Sequence, residues 1–310
     1  MTVIAKRAKR IPKSSVQRTV SLIGDGWVIR ILRDAFRGTR RFTDFFAGLG
    51  IPKAVLANRL ERLVEHGIFE RHEYQTSPVR HEYRLTPSGL DLWGVLIAMW
   101  NWETTWYPSR KGYRLTLVHQ TCGASILPVT ACSACGKPVT AFDTQIEPGP
   151  SAGFEAAPAA RAHRRTMSPS RQAKDVAFNS EIAQLFGDRW SSLIIASAFR
   201  GFSRFGEIKE QMNIPPALLS QRFGELVASG ILAQRPAPSN RTGFDYHLTR
   251  KGIDVHAILL QLMRWGDRWL DGGKGPPMLL RHTACGNTFE ADLRCDHCRR
   301  VLERTDLRLQ

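Results

Sequence analysis

The feature that most constrains this chain is that it repeats itself. Gly24-Asp25-Gly26-Trp27 returns as Gly187-Asp188-Arg189-Trp190, Phe36-Arg37-Gly38 as Phe199-Arg200-Gly201, and Ile51-Pro52 as Ile214-Pro215, always 163 positions on. Gly67-Ile68 and Gly230-Ile231, Tyr83 and Tyr246, Trp102 and Trp265, and Trp106 and Trp269 keep the same offset. A gapless period of that length marks a duplicated domain. Whatever one copy folds into, the other must also fold into, and 310 residues suffice for two cores. Residues 145–172, rich in Pro, Ala, Gly and Ser, have linker composition. The expected organisation is a basic tail over 1–13, a first copy over 14–144, the linker, and a second copy over 173–310.

Within copy one, Ser14 or Ser15 can cap a helix over about Val16–Ile23, which Gly24-Asp25 breaks. Trp27, Val28, Ile31, Leu32 and Ala35 recur at helical spacing up to Gly38. A short helix after Thr43 ends at Gly50, where copy two has Asn213, the other residue that readily takes a left-handed cap. Ile51-Pro52 then opens a helix from Lys53 to about His66, with Val55, Leu56, Leu60 and Leu63 inward. Two short helices joined by a tight turn predict a helix-turn-helix with the second as recognition helix. The extended segments Ile68–Tyr74 and Arg80–Leu85, around Ser77-Pro78, predict a hairpin wing. Thr86-Pro87 starts a long helix whose apolar stripes around Leu96, and Leu259 in copy two, predict packing of copy against copy. The fold class is mainly α with small β, a winged helix occurring twice.

Charge points to a polyanionic partner. Lys and Arg number 44 against 28 Asp and Glu, for a formal charge of +16. The longest apolar run, Leu92–Trp100, is far too short to span a membrane, and the basic N-terminus (Lys6, Arg7, Lys9, Arg10, Lys13) lacks a secretory signal's apolar core. A cytoplasmic protein whose partner is double-stranded DNA is the expectation.

The strings Leu22-Ile23-Gly24-Asp25-Gly26-Trp27, Leu32-Arg33-Asp34-Ala35-Phe36-Arg37-Gly38, Leu56-Ala57-Asn58-Arg59-Leu60, Leu63-Val64-Glu65-His66-Gly67-Ile68 and Arg80-His81-Glu82-Tyr83-Arg84-Leu85-Thr86 resemble the HxlR-type winged-helix regulators, relatives of the MarR group. Copy two resembles them through Phe186-Gly187-Asp188-Arg189-Trp190, Gln221-Arg222-Phe223 and Tyr246-His247-Leu248-Thr249. The resemblance implies a bacterial DNA-binding regulator that works as a dimer on a roughly palindromic operator and can answer to a small-molecule effector. Ser14 and Ala177 stand where many relatives carry a cysteine, so thiol sensing by that route is not expected. Two copies in one chain imply a fused pseudo-dimer, with further homodimerisation left open.

By geometry, the early exposed face of a recognition helix meets base edges while the wing holds phosphates. This nominates Lys53, Asn58, Arg59 and Arg62, with Arg71, Arg80 and His81 on the wing; in copy two it nominates Ser220, Gln221 and Arg222, with Arg235 and Arg241. Copy one is the more basic reader.

After each long helix comes His-x2-Cys-x9-Cys-x2-Cys: His119, Cys122, Cys132 and Cys135, then His282, Cys285, Cys295 and Cys298. Two ligand pairs on opposite turns suit a tetrahedral zinc. The expectation is one structural Zn2+ per copy, held in a C-terminal zinc knuckle by that copy's own four residues. Disulfides or plain reduced thiols compete with it. Four protein ligands leave no open position for an activated water, and no nucleophile elbow, phosphate-binding glycine loop or HExxH occurs, so an enzyme is not expected. The alternative to an operator-binding regulator, probed most directly on the protein's own promoter region, is a zinc-ribbon adaptor for nucleic acid or protein without operator specificity.

Overall fold

The computed structural model describes residues 10–108, 116–156, 181–186, 189–212, 214–237 and 243–310. Strand β1 (Arg10–Pro12) leads into helices α1 (Ser15–Ile23), α2 (Gly26–Phe36), α3 (Phe42–Leu49) and α4 (Lys53–Glu65). The wing follows as β2 (Phe69–Thr76) and β3 (Val79–Leu85), then α5 (Pro87–Asp91), α6 (Trp93–Trp106) and strands β4 (Leu117–His119), β5 (Val129–Cys132), β6 (Thr144–Pro148) and β7 (Phe154–Ala156). Copy two runs through α7 (Glu181–Phe186), α8 (Arg189–Phe199), α9 (Phe205–Met212), α10 (Pro216–Ala228), β8 (Leu232–Pro236), β9 (Phe244–Leu248), α11 (Arg250–Ile253), α12 (His256–Trp269), β10 (Met278–His282), β11 (Ala291–Arg294) and β12 (Leu307–Leu309).

The local chemistry accounts for these boundaries. The Ser14 hydroxyl accepts from the Gln17 N–H and caps α1, while Asp25 Oδ1 accepts from the N–H groups of Trp27 and Val28 and caps α2. Gly50 takes φ of 61° between α3 and α4, a left-handed turn that a β-carbon would strain. Its counterpart Asn213 lies outside the described residues. The expected single long helix is two: Thr86 caps α5 through the Gly89 N–H, and the chain turns at Leu92 before α6 resumes.

Two expectations from composition are corrected. The end of the basic tail is part of the fold, because Arg10–Pro12 pairs antiparallel with Phe154–Ala156 and Lys13 Nζ donates to the Ser151 carbonyl at 3.2 Å. The first part of the expected linker is likewise strand: Thr144–Pro148 pairs with Met278–His282. Proline and glycine there punctuate edge strands rather than abolish them. The remainder, 157–172, lies outside the described residues, as do the cations before Arg10 and Ala177.

One buried cluster runs through both copies, from Val16 and Trp27 to Trp265 and Leu293. Helix α1 of copy one lies along α12 of copy two, and α12 also packs on α6, which is the contact the apolar stripes predicted. The approach is close at Gly266, where a β-carbon would stand 2.5 Å from Thr19 Oγ1; that hydroxyl donates to the Leu262 carbonyl at 3.0 Å. The C-terminal strands interlock across the copies, β4 with β12, β6 with β10 and β5 with β11. Within the β5–β11 ladder Thr130 faces Leu293, its own counterpart in the repeat. A pseudo-twofold axis therefore passes between those two residues.

Candidate nucleic-acid interface and metal centres

Helix α4 buries Leu56, Leu60 and Leu63 and is thereby rotated so that Lys53, Ala54, Ala57, Asn58 and Glu61 face solvent. Helix α10, holding Leu219, Phe223 and Leu226 in the core, presents Pro216, Ala217, Ser220, Gln221 and Gly224. Of the nominated helix residues, Lys53, Asn58, Ser220 and Gln221 stand on these open faces, and Gln221 donates to Glu225 at 3.1 Å. Arg71, Arg80 and His81 on the first wing and Arg235 on the second are exposed; Arg241 lies outside the described residues.

Two nominated arginines point elsewhere. Arg59 is half-buried and donates through Nε to Asp25 Oδ2 at 2.9 Å, with a second guanidinium nitrogen at 2.7 Å from the same oxygen. Asp25 thus caps α2 with one oxygen and pins α4 with the other. Arg222 is only 4% exposed and pairs with Glu225 at 3.0 Å. Helical spacing places positions 59 and 222 on the flank turned toward the preceding helices. Arg222 therefore belongs to the packing of the recognition helix, while Arg59, anchored to Asp25, also donates through Nη1 to Asn58 Oδ1 at 2.9 Å beside the open face. Arg62 is half-buried as well, leaving Lys53 as the open cation of α4.

Sequence reasoning missed Arg40 and Arg41. The Tyr83 N–H donates to the Arg40 carbonyl at 2.8 Å, and Arg41 forms an isolated bridge to Glu82, which ties this segment to the edge of the two-stranded wing. The Arg41 guanidinium lies 4.5 Å over the Tyr74 ring. A hydrogen bond from Arg84, with the Arg40 and Arg41 charges behind it, holds the Glu82 carboxyl below its usual range. The adjacent arginines were a visible signal, but only the bridge places them at the wing. Copy two repeats the arrangement with Ser203 and Arg204, the latter 3.6 Å from Asp245.

The eight expected metal ligands do converge into two tetrads, but their grouping differs from the expectation. His119 and Cys122 of copy one meet Cys295 and Cys298 of copy two, and Cys132 and Cys135 of copy one meet His282 and Cys285 of copy two. The reason is the strand interlock: β5 lies beside β11, carrying each Cys-x2-Cys turn across the pseudo-twofold axis to the other copy's His-x2-Cys turn. Spacing alone, being identical in both copies, could not reveal the exchange.

The donor atoms of each tetrad lie within 4.8 Å of one another. Cys122 Sγ is 3.8 Å from Cys295 Sγ and Cys132 Sγ is 3.9 Å from Cys285 Sγ. Zinc–sulfur bonds of about 2.3 Å at tetrahedral angles put sulfurs about 3.8 Å apart. The Nδ1 atoms complete the sets, His119 at 3.2 Å from Cys122 Sγ and 3.4 Å from Cys298 Sγ, His282 at 3.3 Å from Cys135 Sγ and 3.5 Å from Cys285 Sγ. All six cysteines are free thiols, not disulfides. Burial pushes the Cys132 and Cys295 thiols up, while a backbone N–H from Asn287 draws Cys285 down to about 7. The residues present fit a structural metal of zinc's size and ligand preference.

A sequence model described as HxlR-like helix-turn-helix matches residues 22–111 and again 185–274, together more than half of the chain. An uncharacterised HTH-type transcriptional regulator of Mycobacterium tuberculosis is 40% identical over 153 residues, covering 49% of this chain and 96% of that protein. A second, from Synechocystis, is 34% identical over 36% of this chain and 76% of its own length. The HTH-type transcriptional regulator YodB of Bacillus subtilis is 32% identical over 29% of this chain and 80% of its own. Among the described residues no helix is long and apolar enough to cross a membrane.

Proposed function

The chain belongs to the HxlR-like helix-turn-helix family as a tandem duplication, and from that premise we propose that it is a cytoplasmic repressor that reads its operator with both copies as a covalent pseudo-dimer. The observation that carries this reading is the repeated open face: α4 with its wing and α10 with its wing, on copies packed about one pseudo-twofold axis. Asn58 in copy one, and Ser220 and Gln221 in copy two, are the base-reading candidates; Lys53 at the start of α4, with Arg71, Arg80, His81, Arg40 and Arg41 on one side and Arg235 on the other, are the phosphate contacts. Because the two open faces differ in sequence, the operator is asymmetric.

Two structural zinc ions, one per tetrad, support the arrangement by tying copy to copy. Their ligand sets are complete, so the ions orient the ribbons and supply no reactive site. A gel-shift titration with the protein's own promoter region tests the function. Retention at nanomolar protein that survives excess unrelated DNA is expected; equal affinity for any duplex would overturn operator reading and favour the adaptor.

A further inference from the structure

At one pair of equivalent places the two copies carry opposite chemistry in the same frame. In copy two, Lys251 reaches across the junction between the end of α10 and helix α6 of copy one. Its ammonium donates to the Ser229 carbonyl at 2.7 Å and to the Tyr107 hydroxyl. It also lies 5.4 Å from the Trp102 ring centre and 4.5 Å from that of Tyr107. An ammonium between a carbonyl and aromatic faces is held by hydrogen bonding and by the ring quadrupoles together.

The counterpart of Lys251 is Ser88. Around it the same frame is present: His66 for Ser229, Trp265 for Trp102, Trp269 for Trp106 and Leu270 for Tyr107. The short serine folds back, donating to the Gly67 carbonyl at 2.7 Å, and a cleft of about 310 Å³ opens there between His66, Ser88, Trp265 and Trp269. Small-molecule sites begin at roughly 300 Å³. The indole N–H groups are already committed, Trp265 to the Ser88 carbonyl and Trp269 to Asp91, so the rings are fixed as walls.

We propose that this cleft binds a small primary alkylamine in its protonated form, the chemistry that Lys251 supplies from within the chain at the equivalent place. The ammonium sits against the His66 carbonyl beside the exposed Trp269 ring, and the alkyl stem follows the path of the lysine methylenes. His66 and Gly67 close the recognition helix of copy one, whereas Trp265 and Trp269 belong to copy two. A ligand there bridges the reading head of one copy to the long helix of the other. Its role as effector rests on the regulator reading above; its binding does not.

Calorimetric titration of the full chain with n-butylammonium, without DNA, tests the site. Saturable binding is expected, with n-butanol weaker by roughly ten-fold because it lacks the cation. Ser88→Lys should fill the cleft from within and abolish binding, and Leu270→Tyr should restore the missing hydroxyl and tighten it. An equal response to butanol, or unchanged binding in both variants, overturns the proposal. An arm with 1,4-diaminobutane separates a diamine source from a monoamine by which of the two binds tighter. Gel shifts with and without saturating amine then address regulation. Binding without any change in DNA affinity would overturn the effector role alone.

Discussion

Trp265 of copy two donates its indole N–H to the carbonyl of Ser88 in copy one at 2.8 Å. The repeat carries the same bond in reverse, Trp102 donating to the Lys251 carbonyl at 3.0 Å, and the next turn repeats the exchange with Trp269 to Asp91 and Trp106 to Asp254. These four bonds hold each long helix to both ends of the other copy's α5 or α11, at Ser88 and Lys251 in the first turn and at Asp91 and Asp254 at the close. Such reciprocity is the signature of a twofold interface.

The first prediction follows from it. Trp265 and Trp102 are almost fully buried, so Phe substitution keeps most of the apolar contact but removes the hydrogen bond to a part-buried carbonyl. Each change should destabilise by about 1–3 kcal/mol in urea unfolding. The two sites share no partner, so the double variant should lose close to the sum. Near-silent single variants would show that the interface does not depend on these bonds.

The exchanged tetrads make a second prediction that separates them from within-copy knuckles. Cys122→Ser with Cys295→Ser strikes one tetrad and should leave about one zinc per chain by elemental analysis. Cys122→Ser with Cys132→Ser, both in copy one, strikes both tetrads and should remove both ions. Within-copy knuckles require the opposite pattern. Cleavage between 157 and 172 should accordingly leave the halves joined, by the tetrads and by the shared core and strand pairs alike.

The contrast shows what the sequence made legible. The winged helix, a cap at Ser14, the break at Gly24-Asp25, the turn at Gly50 and the eight candidate metal ligands follow from spacing, because each is a local pattern. What escaped is non-local. A period of 163 makes His119 equivalent to His282, so nothing in the spacing says which copy's Cys-x2-Cys turn either one meets. Arg59 and Arg222 looked like readers because arginine suits guanine, yet a pairing with Asp25 thirty-four positions away claims the first, and burial claims the second. Strands β6 and β7 hid in linker composition because their partners, β10 and β1, lie far off in sequence.

A third prediction concerns pH. Burial pushes the Asp267 carboxyl up to about 6, only partly offset by the hydrogen bond from Ser15; the Glu290 and Asp271 charges push it further up, and Arg18 draws it down. Between about 3.8 and about 6 the native state therefore keeps a proton that the unfolded chain has released. The stability contributed by the neutral form is complete below about 3.8 and is lost as pH rises through about 6. Asp267→Asn retains an acceptor for Ser15 without the charge. It should stabilise the chain at pH 7 by about 1 kcal/mol, after allowance for partial solvent screening, with no gain at pH 4. A gain independent of pH would remove the carboxylate as its cause.

The last prediction concerns which residues read DNA. Lys53 stands open at the start of α4, so Lys53→Ala should weaken binding to all duplexes alike and flatten the salt dependence by about one phosphate contact. Asn58 is also open, and its amide matches the paired acceptor and donor of adenine. Asn58→Ala should cost about 1–3 kcal/mol at one base pair and relax specificity there. Arg59→Ala should behave differently. Loss of the pair with Asp25 loosens α4 from the cap of α2, so the change should lower unfolding stability by roughly 1–3 kcal/mol. Its salt slope on DNA should stay unchanged, because the guanidinium neutralises Asp25 rather than a phosphate. Arg222→Ala should follow Arg59→Ala in both respects, since its side chain is buried beside Glu225. Salt-titrated binding and urea unfolding of the four variants provide the comparison. If Arg59→Ala instead lowered the salt slope while leaving stability intact, the guanidinium would have to leave Asp25 for the DNA backbone, and the open face of copy one would be larger by that cation.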